Sequence, residues 1–243
     1  MSERESDWQD AGNGLRMVAT AMITQLILVA FTVMTLVLVM ASKKPDGMQG
    51  MAMIMAVVGL AAQVMMVVGL FRFSNQPPPA PSRNLAQSAG AFAIVGLAIS
   101  LYVLVVLMQV SSVNEHSDYD AIDSAMKAAE RLPKIEVLAA VIGFVAMVLL
   151  MAAAGAVAAH VRRPDLVQRS RTAIGLVLLA AAVYAFIKLA VTPTQPSSIV
   201  AMLAMAAVVQ IAAFATILGT VRGLAEALRD PPPPELPRAR IVD

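Results

Sequence analysis

Apolar residues are gathered along this chain into six blocks of about twenty or more, longer than strands or ordinary core helices and separated by short polar stretches. A helix crossing the hydrocarbon layer of a membrane needs about 20 mostly apolar residues. The blocks satisfy this at 17–41, 48–71, 85–112, 135–160, 172–191 and 198–221. They predict an all-α integral membrane protein built as a six-transmembrane-helix bundle. All 14 prolines fall outside these blocks, among them Pro45, Pro77, Pro133, Pro164, Pro193, Pro196 and the run from Pro231 to Pro234. A proline inside a span would remove a backbone donor that lipid cannot replace, so this distribution independently supports the boundaries. The first block is too long for the apolar part of a secretory signal. It also follows Glu3, Glu5, Asp7 and Asp10 rather than a basic segment.

The polar stretches divide the chain into a segment at 1–16, the helical domain at 17–222 with a long loop at 113–134, and a Pro-rich tail at 223–243. Basic residues alternate in density between these stretches. Twelve arginines lie on one side: Arg4, Arg16, Arg72, Arg83, Arg162, Arg163, Arg169, Arg171, Arg222, Arg229, Arg238 and Arg240. The other side has five basic residues: Lys43, Lys44, Lys127, Arg131 and Lys134. Retained loops carry the positive excess, so both termini are expected on the cytoplasmic side. The spacing of arginines is compatible with three helical hairpins, although positive-inside selection alone would produce it too.

Composition narrows the picture. The chain is 59% hydrophobic and only 14% charged, against about 25% charged for a soluble domain; its mean hydropathy is +0.76. There are no cysteines, which excludes disulfides and thiol chemistry. The pI of about 9.2 comes from arginines placed by topology, with no concentrated basic face for nucleic acid. High Ala, Val and Arg with few Lys suggests a GC-rich bacterial genome, and with the orientation signal places the chain in a bacterial cytoplasmic (inner) membrane.

In the loop at 113–134, Ser117-x-x-Asp120 reads as a capping box, and Tyr119, Ile122, Met126 and Ala129 follow at helical spacing. A short amphipathic helix on the outer membrane surface and a solvated acidic linker are both compatible with this pattern. Residues 75–81 and the tail should be extended and polyproline-like. Ser6-x-x-Gln9 with Trp8 suggests a brief helical turn with the indole at the interface.

Candidate chemistry inside the spans is sparse. All 16 Asp and Glu residues lie in loops, tails or, for Glu136, the first turn of a helix. His116 and His160 fall on opposite sides, so a haem held by two histidines is not expected, and neither is a metal site or another cofactor. No catalytic set is legible, and the chain is expected not to be an enzyme. Lys188 is the one charge within a span, about one turn from its end, where its stem can snorkel to the headgroups. Alternatively it faces the bundle with Tyr184 and Glu136 as a small polar site. Gln63 and Gln210 are the deepest polar residues and the best positions for a polar cavity; interhelical hydrogen bonding is the structural reading of these and of the span threonines. In the fourth span Ala152 with Ala156, and Gly155 with Ala159, make small-xxx-small pairs that predict close helix packing.

The expected function is that of a non-enzymatic accessory or scaffolding membrane subunit. Its partners would be the lipid bilayer and a membrane protein or a second copy. The first alternative is a transporter or channel for a small neutral or weakly polar solute passing Gln63 and Gln210. Another is a lipid-handling enzyme using His160, Arg162, Arg163 and Asp165.

Overall fold

The computed structural model describes residues 3–42, 48–77, 82–112, 119–190 and 196–229. Among them are six helices and no strands: α1 (Glu3–Ser42), α2 (Met48–Ser74), α3 (Ser82–Ser112), α4 (Tyr119–His160), α5 (Pro164–Ala190) and α6 (Pro196–Ala227). Each contains a stretch long and apolar enough to cross a membrane. The chain is a multi-pass membrane protein. Every helix packs on its neighbours in sequence, α1 packs on α6, and α4 also touches α6. The order of contacts is therefore a closed ring.

The beginnings of α1, α3 and α5 meet the ends of α2, α4 and α6, which gathers Arg16, Arg72, Arg83, Arg163 and Arg222 at one end of the bundle. Here the core is dense. Leu15, Val18 and Met22 of α1 are buried against Leu70 and Phe73 of α2, Met151 and Val157 of α4, Leu166 of α5 and Leu224 and Leu228 of α6. Closest of all is the α1–α2 crossing: a Cβ on Gly14 would stand 2.5 Å from the Gly69 carbonyl oxygen, and one on Gly69 would stand 2.7 Å from the Gly14 oxygen. Small residues here permit backbone-to-backbone approach, the usual source of helix association in lipid.

Local hydrogen bonding closes the turns at this end. After α4, Arg163 N–H donates to Ala158 O at 2.9 Å and Arg162 N–H donates to Ala159 O at 3.2 Å. With Arg162 at φ 58°, this is a Schellman C-cap, and Pro164 then opens α5 where its missing donor costs nothing. After α2, the buried Gln76 amide donates to Phe73 O at 2.8 Å and its carbonyl accepts from Ser82 Oγ. One side chain thereby ties the end of α2 to the start of α3. Between α4 and α5, Ser170 Oγ donates to Met151 O, and a Cβ on Gly155 would stand 2.8 Å from Ser170 Oγ.

Three features differ from the sequence expectation. The segment at 1–16 is not a brief turn followed by a span, because α1 is continuous from Glu3 and buries Ala11 and Leu15. Residues 119–134 of the long loop are neither a separate surface helix nor a linker, but continue into the fourth span as one helix of 42 residues with Pro133 inside it. Pro133 deletes only one i→i−4 hydrogen bond, and the amphipathic pattern before it keeps the helical register. The span threonines whose side chains are described bond within their own helices: Thr20, Thr24, Thr216 and Thr220 each donate to the carbonyl four residues back. That bond satisfies even the fully buried Thr220 within its own helix. In α4, the small residues buried most deeply are Ala153, Ala154 and Ala158, while Ala159 is exposed. The close packing expected of this helix is present at Gly155, which meets Ser170 of α5, while the most deeply buried small residues lie beside the expected pairs.

Away from the Arg-rich end fewer of the described side chains are buried. From Ile23 to Phe31, α1 has no buried side chain, and between 134 and 149 of α4 only Ile142 is buried. Ile54, Leu138, Phe186, Val208 and Ile211 are each more than half exposed.

Candidate functional site

A cleft of about 530 Å³ lies between α2, α3 and α4. It exists because α3 packs on both α2 and α4, whereas α2 and α4 make no backbone contact among the described residues. Ala56, Gly59, Leu60 and Gln63 of α2 line one wall, a single helical stripe at i, i+3, i+4 and i+7. Ser100 and Leu104 of α3 form the back, and Leu132, Pro133 and Glu136 of α4 form the other wall. Most of the lining is apolar, with three polar groups: Gln63, Ser100 and Glu136.

Gln63 lies nine residues before Arg72, about 14 Å into the membrane at 1.5 Å per residue. Its Oε1 is buried and accepts no hydrogen bond among the described residues. An unsatisfied buried acceptor costs about 1–3 kcal/mol. Gln63→Leu is accordingly expected to raise stability by about 1 kcal/mol, seen as a higher unfolding midpoint in detergent; a lower midpoint would mean that Gln63 is structurally engaged.

Two of the five sequence-predicted positions come together among the described residues. Gln63 and Glu136 share the cleft. Tyr184 lies on α5 with its ring edge-on to Phe144 of α4, centroids 6.1 Å apart. Gln210 is exposed on α6. Lys188 falls within α5, but its side chain is outside the described residues, as are His116 and the tail after Arg229. Of the expected polyproline-like turn, 75–77 is described and irregular, and 78–81 lies outside the described residues.

The residues weighed for lipid chemistry have local partners. His160 stacks on Trp8 with centroids 5.6 Å apart and an interplanar angle of 23°, and Arg162 forms the C-cap of α4. Arg163 donates to both carboxylate oxygens of Asp165 at 3.1 and 3.2 Å, which raises the pKa of Arg163 above its ordinary value. Among the described residues no cluster of His, Asp or Glu has the geometry of a metal site.

A second hollow, of about 460 Å³, lies between α1 and α6 at the Arg-rich end and is lined by Gln9, Gly12, Asn13, Arg16, Ala225, Leu228 and Arg229. It joins the segment before the first apolar block to the residues after the last, so hydropathy along the chain does not reveal it. Gln9, Asn13 and Arg16 stand at i, i+4 and i+7, a helical stripe that was the available signal. Compared with protein-family models, with curated proteins and with solved structures, the chain matches none.

Proposed function

We propose that this chain is a non-enzymatic accessory or scaffolding subunit of a bacterial cytoplasmic membrane, with its Arg-rich end and both termini in the cytoplasm and its six helices arranged as three hairpins. One observation carries the reading: over more than two turns, from Ile23 to Phe31, no side chain of α1 is fully buried by the rest of the chain, and Leu26, Ile27, Val29 and Phe31 are exposed. Gln25 sits in this stretch, partly exposed, nine residues past Arg16 and so about 14 Å into the membrane. A carboxamide at that depth is best satisfied by a polar group on another transmembrane helix. A partner membrane protein meets that need and lipid tails do not.

Affinity purification of the tagged chain in mild detergent is expected to bring down one membrane protein in stoichiometric amount, and Gln25→Leu should reduce its recovery. Recovery of the chain as a monomer, with no stoichiometric protein, would contradict the proposal.

The cleft favours a second reading, transport of a small neutral or weakly polar solute past Gln63. Under that reading Gln63→Leu abolishes uptake while raising stability. The exposure of Gln210 leaves Gln63 as the polar position deep in such a path.

A further inference from the structure

We propose that the hollow between α1 and α6 binds the phosphate of an anionic phospholipid headgroup. Its floor is made by Gly12, where a Cβ would already be 3.3 Å from Leu228 Cβ. Its polar wall is the stripe of Gln9, Asn13 and Arg16 on α1, faced by Arg229 just beyond α6. Among the described residues the lining therefore holds two guanidinium groups and two carboxamides, all able to donate, and no carboxylate. That is the donor set that recognises phosphate oxygens.

Both arginines are uncommitted to acids among the described residues. Arg16 makes one long hydrogen bond, 3.5 Å to Asn13 Oδ1. Asp10, the nearest acid on that part of α1, is turned toward α2, where its carboxylate accepts from Asn75 at 3.3 Å and lies 4.0 Å from Arg72 Nε. Glu226, three residues before Arg229, is exposed, acts electrostatically on Arg163 and does not line the hollow.

Depth selects the lipid over a soluble phosphate. Gln9, Asn13 and Arg16 lie in the first turns of the membrane-spanning stretch Ser6–Phe31, so the polar wall stands at the end of the bundle where headgroups meet it. Basic pockets between transmembrane helices at this level are recurrent headgroup sites. The inference does not depend on the proposed partner or on which leaflet the Arg-rich end faces.

The test uses the full chain in mild detergent, titrated separately with phosphatidylglycerol, phosphatidylcholine and inorganic phosphate while bound lipid is counted by native mass spectrometry. Phosphatidylglycerol should bind in preference to phosphatidylcholine. The double variant Arg16→Gln/Arg229→Gln should bind it roughly 25-fold more weakly, taking about fivefold for each arginine. Arg229→Gln alone, at an exposed position beyond the helix, should give about fivefold without disturbing the fold. Arg222→Gln, outside the hollow, should change nothing. Equal affinity for the two lipids, or variants that bind like the parent, would overturn the proposal. Saturation by inorganic phosphate with no response to phosphatidylglycerol would overturn the assignment to lipid.

Discussion

Gly14→Leu is expected to prevent the bundle from assembling. A Cβ at this position would stand 2.5 Å from the Gly69 carbonyl oxygen, 2.6 Å from the Phe73 nitrogen and 2.8 Å from Arg72 Cβ. Two of these three atoms are backbone, and no rotamer change can move them. Relief requires α1 and α2 to separate, and the reciprocal approach of Gly69 to Gly14 O and to the Val18 nitrogen would be lost with it. Even Gly14→Ala should cost about 1–3 kcal/mol as overpacking. This reverses the usual sign, since Gly→Ala in an open helix interior gains about 0.5–1 kcal/mol. Gly143, Gly175 and Gly219, where an added Cβ meets nothing within 4 Å, provide the controls. Their alanine variants should unfold at or above the parent's midpoint in detergent, Gly14→Ala below it, and Gly14→Leu should elute as aggregate. A Gly14→Leu protein with parental stability would mean that α1 and α2 do not cross at these residues.

Phe73→Ala should be the most damaging truncation, at about 3–5 kcal/mol. Phe73 is fully buried near the end of α2, beside the Gly14 crossing, and its carbonyl accepts the Gln76 hydrogen bond that leads to Ser82. Removing the ring leaves a void where α1 and the α2–α3 turn are anchored. Phe73→Leu, which refills most of that volume, should cost less than about 1.5 kcal/mol. Phe186, 54% exposed on α5, is the comparison: its alanine variant should stay near the parent in denaturant titration. Similar losses at Phe73 and Phe186 would show that the dense core is not centred on the Arg-rich end.

These two residues also show what could be read from the sequence. The six helices were legible because lipid demands long unbroken apolar runs, and hydropathy records that demand directly. Gly14 was not, because it precedes the apolar block and lies among acids, where hydropathy reports solvent. The signal was geometric: Ala11, Leu15, Val18 and Met22 follow at i, i+4, i+7 and i+11 across the apparent boundary, and all four are buried. A similar limit applied at Pro133, where proline argued for a break although the helical register continues through it. Gln63 was legible as a deep polar residue, but its meeting with Glu136 depends on the absence of contact between α2 and α4, which no local pattern encodes. Gln210, chosen by the same argument from depth, is exposed because depth along a helix says nothing about which way the side chain faces.

The most direct test of the proposed subunit role is photo-crosslinking in native membranes from single positions on the uncovered surface: Ile27 and Val29 of α1, then Phe186 of α5, with Ser88 of α3 at the Arg-rich end as reference. The expected result is one discrete protein adduct from Ile27 and Val29, identical in mass at both positions and absent at Ser88. Lipid adducts alone from both α1 positions would contradict the role of this chain as a subunit held by a partner helix.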